Sequence, residues 1–265
     1  MKNTFAKQYG ELEQWHWWFR GRRRIIESIL RRELGATGGA AAARRILSVG
    51  CGPAEGLTWL KPFAGYGGTI FGLDMEPTHA ERVPEGVAFV VGRLEDAPYA
   101  DASFDAVLAL DVLEHLDDDA AGLREAVRMV KPDGLLLVTV PALPSLWGGQ
   151  DVVSEHRRRY TKQTLTRLFD GAGLTGYRVS YFNTLLFPLV ASVRLARRAA
   201  GSAERVRSDF EDSRPGLVNE LLTWVFSLER AAINSAPLPI GVSLIVTCRV
   251  PAARAAAASW GGQSH

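Results

Sequence analysis

Two apolar runs with unusual punctuation constrain this chain most. Residues Ile46 to Gly56 read Ile-Leu-Ser-Val-Gly-Cys-Gly-Pro-Ala-Glu-Gly, and Ile70-Phe-Gly-Leu-Asp74 follows. The acid stands about 20 residues past the glycine turn, the spacing at which an open α/β sheet holds a nucleoside. Glycines let the backbone approach a ligand closely, and the acid accepts hydrogen bonds from ribose hydroxyls. A dinucleotide fingerprint needs a glycine in the sixth place from Gly50, where this chain has Glu55. The competing reading is an ordinary glycine turn between a strand and a helix.

The surrounding pattern supports a doubly wound sheet. Apolar runs at Arg45–Val49, Thr69–Leu73, Val87–Val91, Phe104–Leu110 and Leu135–Val140 alternate with helical stretches, which predicts a mostly parallel sheet with helices on both faces. Ile25, Ile26, Ile29 and Leu30 share a helical face, so a helix is expected from Gly21 to Glu33. Asp117 to Asp119 place negative charge at the start of a helix carrying Leu123, Ala126, Val127 and Val130, closed by Pro132 and Gly134. Another helix carries Leu165, Leu168, Phe169 and Ala172. Two further strands are expected at Tyr177–Phe182 and Val242–Arg249, separated by helical periodicity around Leu217, Leu221, Leu222, Val225 and Phe226. That intervening stretch is too long for a hairpin loop. It either caps a substrate pocket or covers a sheet edge.

The expected organisation is an aromatic and basic lid segment at 1–44, a core at 45–182, a helical insertion at 183–240, a last core strand at 241–251 and a low-complexity tail at 252–265. Hydrophobic content of 47% is ample for a core, and a formal net charge of +2 says little about partners. Arginines cluster at Arg20 and Arg22–Arg24, and again from Arg194 to Arg207. Without a recognised binding fold these read as solvated faces, so no nucleic-acid partner is expected. Cys51 and Cys248 form no disulfide framework and lack metal-ligand spacing, so no metal is expected. The polar, then aromatic, N-terminus is unlike a secretory signal, and Leu185–Val193 is too short to span a bilayer, so a cytoplasmic protein is expected.

Several blocks then succeed one another in a telling order: Val49-Gly-Cys-Gly, Gly92-Arg-Leu-Glu-Asp-Ala-Pro-Tyr, Ser103-Phe-Asp, Leu110-Asp-Val-Leu-Glu-His and Val130-Lys-Pro-Asp-Gly-Leu-Leu-Leu. In this order they resemble class I S-adenosylmethionine (SAM) methyltransferases of the small-molecule type 11/12 branch, which includes ubiquinone-biosynthesis O-methyltransferases. His16-Trp-Trp-Phe-Arg-Gly-Arg-Arg and His156-Arg-Arg-Arg-Tyr resemble bacterial members of that group. The resemblance covers roughly Trp15 to Val250 and is strongest from Arg45 to Leu174.

The resemblance implies a Rossmann-like seven-stranded sheet and a SAM site yielding S-adenosylhomocysteine. Gly50, Cys51 and Gly52 would pass under the methionine and ribose, Asp74 would take the ribose hydroxyls, and Met75 would lie beside adenine. Arg93 and Leu94 occupy the adenine-reading place, where Arg93 cannot accept amino protons and the Leu94 backbone is left to do so. Leu110 would offer a main-chain carbonyl to the ammonium. Trp15, Trp17, Trp18 and Phe19 would form a lid over the cofactor, with Arg22 or Arg23 reaching its carboxylate, or would staple the first helix to the domain. Ser48 replaces an acid common in the family, and Ala54 a common third glycine, so both departures bear on cofactor affinity.

Methyl transfer is an in-line displacement in which positioning dominates and the acceptor must shed a proton. Two histidines just past strand ends are candidate bases, His156 first and His115 second. The apolar Tyr181–Val193 stretch, followed by arginines, points toward a lipid-linked, isoprenoid or polyketide-like acceptor and toward peripheral contact with a membrane's inner face. Core packing beneath the insertion is the competing reading, and a polar sugar or amino-sugar acceptor stays open. The expected activity is methylation of an O or N atom of a small molecule. Its rival is a SAM binder of the same fold with a cyclase or regulatory role. A nicotinamide dehydrogenase is opposed by Glu55.

Overall fold

The computed structural model describes residues 10–35, 42–199 and 213–252. The expected tail from 253 onward, most of the Gly38–Ala43 linker, and Arg205 and Arg207 lie outside the described residues. Seven strands form one sheet: β1 (Arg45–Val49), β2 (Thr69–Asp74), β3 (Val87–Val91), β4 (Phe104–Leu110), β5 (Val130–Pro141), β6 (Arg178–Phe182) and β7 (Ser243–Arg249). Their spatial order is β3-β2-β1-β4-β5-β7-β6. β1 to β5 run parallel, and β7 lies antiparallel between β5 and β6. This is the α/β Rossmann-like architecture expected from the alternating runs.

The central strands read as unbroken apolar runs because both faces are covered. One face buries Leu47, Val49, Val107, Leu136 and Val138 beneath α2 (Asp119–Met129) and α3 (Lys162–Gly171), with Leu123, Ala126, Leu165 and Phe169 from those helices. The other buries Ile46, Ala106, Leu108, Leu135 and Leu137 against Ile25, Ile26, Ile29 and Leu30 of α1 (Trp17–Leu34), and against Phe226 and Ile233 of α5 (Leu217–Ser235).

Two boundaries differ from expectation. Helix α1 begins four residues earlier than Gly21, because His16 caps it: Nδ1 accepts from the Trp18 amide at 3.2 Å. Strand β5 begins at Val130 rather than Leu135, pairing Phe104 with Val130 across a register shift that absorbs Pro132 and Gly134. Helices α4 (Phe187–Ala199) and α5 lie between β6 and β7, as the helical periodicity implied. α1 lies close along α5: a Cβ on Gly21 would stand 2.3 Å from Phe226 Cδ1. The Asn219 carboxamide ties the two helices further, accepting from the Trp17 amide at 2.8 Å and donating to the Trp15 carbonyl at 2.7 Å. The N-terminal aromatics therefore staple α1 to α5. No described helix is long and apolar enough to cross a membrane.

Candidate active site

β1 and β4 are neighbours while the chain winds away from them in opposite directions, so a crevice opens beyond their carboxyl ends. A cavity of about 460 Å³ fills it. Gly50, Cys51 and Gly52 from the first turn, Asp74 and Met75 from the end of β2, Arg93 and Leu94 from the third turn, and Leu110 from the end of β4 all line it. Gly50 has φ +55° and a Cβ there would meet Val112 Cγ2 at 2.7 Å, so no other residue closes this turn without strain.

Asp74 organises the crevice. Its Oδ2 accepts from the Gly52 amide at 2.8 Å, and its Oδ1 accepts from the Glu76 amide and His79 Nδ1, each at 3.0 Å. Burial alone would raise this carboxyl, but the His79 and backbone hydrogen bonds outweigh it and hold the group below the usual carboxylate range. Asp74 is thus a fixed anion with lone-pair capacity left on Oδ2. Burial and the Asp74 charge push the Cys51 thiol up, so it is no nucleophile. An anion that accepts hydroxyl protons, a glycine turn with room beside it and an apolar wall at Leu94 and Met75 fit an adenosine with a charged tail. Arg93 pairs with Glu95 at 2.7 Å and is largely exposed, leaving that wall to Leu94.

The lid residues divide between two spaces. Phe19, Arg22 and Arg23 line the large cavity, whereas Trp18 lies against an adjoining chamber of about 120 Å³. The reason is local: the Arg22 guanidinium stacks on the Trp18 ring at 4.4 Å while pairing with Asp111, which fixes that ring away from the glycine turn. Asp111, with φ +59°, directly follows β4. Among the expected cofactor residues, Trp18 alone is not on the large cavity.

His115 lines the large cavity, and His156 lines both it and the adjoining chamber. Their rings are 4.8 Å apart in a T-shaped arrangement. Two segments distant in sequence are tied together here: the Arg157 amide donates to the Glu114 carbonyl at 2.8 Å, Arg157 Nε to the His115 carbonyl at 3.0 Å, and Arg158 to the Leu116 and Asp117 carbonyls. The arginine run after His156 thus ties two loops together besides meeting solvent. His156 Nδ1 lies 2.9 Å from Oδ1 of Asp151, whose carboxyl is fully buried. Burial would raise Asp151, but the His156 hydrogen bond and the Arg159 guanidinium more than offset it and hold the group at about 2. An ionised Asp151 only accepts, so Nδ1 carries the proton that faces it and Nε2 is the nitrogen left for a substrate. His115 is pushed down to about 4 by burial and by His156, so it stays neutral but is a weak base. Ligand atoms of Glu114, His115 and His156 lie within 4.8 Å of one another, the one group among the described residues with the reach to hold an ion.

Sequence reasoning did not single out His79, Asp111, Glu114 or Asp151. His79 and Asp151 each meet a partner five residues away through a turn, a spacing with no periodic signature. Asp111 and Glu114 stood in plain view inside the Leu110–His115 block, but nothing in that block separates an ion pair from a buried, unmatched acid.

The methyltransferase-domain family model matches residues 47–138. A probable S-adenosylmethionine-dependent methyltransferase of Mycolicibacterium smegmatis is 29% identical over 167 residues, covering 61% of each chain. A ubiquinone biosynthesis O-methyltransferase of Azorhizobium caulinodans is 36% identical over 102 residues, covering 36% of this chain and 39% of that one. Each match thus spans less than two thirds of the relative's length. Among solved structures, a SAM-dependent methyltransferase from Archaeoglobus fulgidus superposes with a TM-score of 0.54 at 18% identity, over 91% of this chain and 99% of that one.

Proposed function

We propose, from the match of residues 47–138 to a methyltransferase-domain model, that this chain is a SAM-dependent methyltransferase that transfers a methyl group to an oxygen or nitrogen of a small-molecule acceptor. The observation that carries the reading is the Gly50–Gly52 turn closed onto the ionised Asp74 at the crevice between β1 and β4. In this reading Asp74 holds the ribose hydroxyls, Leu94 and Met75 flank the adenine, Gly50 to Gly52 underlie the methionine, Leu110 offers its carbonyl to the ammonium, and Arg22 or Arg23 faces the carboxylate.

When bound, SAM supplies a methyl group on a sulfonium, which an acceptor displaces in line. The chain does the rest. Asp151 orients His156, and His156 Nε2 takes the proton that the acceptor hydroxyl or ammonium sheds as the new bond to carbon forms. His115 packs edge-on against that ring and limits its rotation. The crevice needs no strong anion beside the sulfur, because positive charge would be leaving it.

The test is transfer of labelled methyl from SAM into a fractionated extract of the host, with Asp74→Ala as control. Label in an extractable small molecule that vanishes with Asp74→Ala supports the reading. SAM binding without Asp74-dependent label in any fraction contradicts it and favours a non-methylating binder of the same fold.

A further inference from the structure

The chamber beside His156 holds two groups that the transfer chemistry above leaves unused. Glu114 is fully buried (0% exposed), and neither carboxyl oxygen has a hydrogen-bond partner. Asn183, 1% exposed, sits just after β6 with φ +57°, and its Oδ1 is also unmatched. Both line the chamber, with Trp17 and Trp18 as aromatic wall and Gln150 and Ser154 beside His156. Asp111, Ser154 and His156 line both this chamber and the large cavity.

Each unmatched buried polar group destabilises the chain, because it has given up water and gained no partner. An apolar acceptor would leave both costs standing, whereas hydroxyl groups would remove them. The unmatched oxygens of Glu114 and Asn183 accept hydrogen bonds, and hydroxyl groups donate them. The Tyr181–Val193 stretch contributes only Asn183 and Val190 to the chamber, while Phe182 and Leu186 are buried in the core and Leu185, Leu189 and Val193 face outward. The chamber, about 120 Å³, adjoins the large cavity at Asp111, Ser154 and His156, so a single ring can sit partly in each.

Resting on the methyltransferase reading, we propose that the acceptor is a polyhydroxylated ring, a sugar or cyclic polyol unit, held by hydrogen bonds to Glu114 and Asn183 with its face on the tryptophans. The hydroxyl nearest His156 is the one methylated.

Calorimetric titration of the full chain saturated with S-adenosylhomocysteine tests this, using myo-inositol and methyl β-D-glucopyranoside against 4-methylphenol and 1-octanol. Glu114→Leu removes the carboxyl at similar volume, and Asn183→Gly removes the amide while keeping a left-handed backbone. The expected result is saturable binding of at least one polyol, tighter than either apolar probe and weakened at least tenfold by each substitution. Glu114→Leu should also melt no lower than wild type, an outcome a structural role for Glu114 would not give. Tighter binding of the phenol or octanol, failure of both polyols, or indifference to both substitutions would overturn the proposal. A chain that fails to bind S-adenosylhomocysteine in the preceding titration would instead remove the cofactor reading beneath it.

Discussion

His156 is where two carboxylates with opposite fates meet. Asp151, ionised and fully buried, holds the ring by its protonated Nδ1, while burial and Asp111 push the Glu114 carboxyl well above its usual range. Replacing His156 by Gln keeps a donor toward Asp151 but removes Nε2. The expected outcome is a fall in kcat of about 10²–10⁴-fold with cofactor affinity unchanged, read by steady-state kinetics and calorimetry. A loss of affinity with kcat intact would make His156 a binding residue instead. Its candidacy was legible in the sequence because it follows β5 beside a basic run. Its partner was not, since Asp151 and His156 are joined by a turn whose geometry no residue pattern announces. Trp18 lines the chamber rather than the large cavity for a comparable reason: sequence places four aromatics at one helix start, and only packing against Arg22 shows where the Trp18 ring lies.

At the scale of elements, helix α1 depends on a histidine cap. His16 Nδ1 accepts from the Trp18 amide and Nε2 pairs with Ser213 Oγ at 2.9 Å, an arrangement that requires the neutral ring. Burial pushes this histidine down to about 4 from its ordinary 6.5. The unfolded chain therefore takes up the proton first. The cap's contribution is full above pH 6.5 and is lost as pH falls through about 4. His16→Asn keeps a capping oxygen without a titrating ring. Across pH 7.5 to 4.5 it should lose less stability than wild type, by roughly 1–3 kcal/mol, measured by denaturant unfolding at each pH. Parallel pH profiles would contradict this. The elements themselves were largely readable: β1 and β4 coincide with the apolar runs because both their faces are covered, and β3, a half-buried edge strand, coincides with its run as well. Strand β5 was cut short because Pro132 and Gly134 look like helix punctuation, and only the register shift opposite Phe104 lets a strand carry them.

Across the whole molecule, the sheet order opens a crevice between β1 and β4, and the cofactor reading rests on what gathers there from four separate turns. α1 closes one side, and the loops tied by Arg157 and Arg158 close another, so cavity and chamber meet at His156. The crevice was legible as a whole, because the glycine turn and Asp74 lie at strand ends that the alternation already ordered. The chamber was not, because Glu114 and Asn183 come from loops after different strands. The most direct test of the account is calorimetric titration of S-adenosylhomocysteine into the wild-type chain and Asp74→Asn, which keeps the side-chain shape but removes the charge we propose for the ribose hydroxyls. The account predicts one site per chain, weakened about 10–100-fold in the variant. No binding by the folded wild type, or equal affinity in Asp74→Asn, would contradict it.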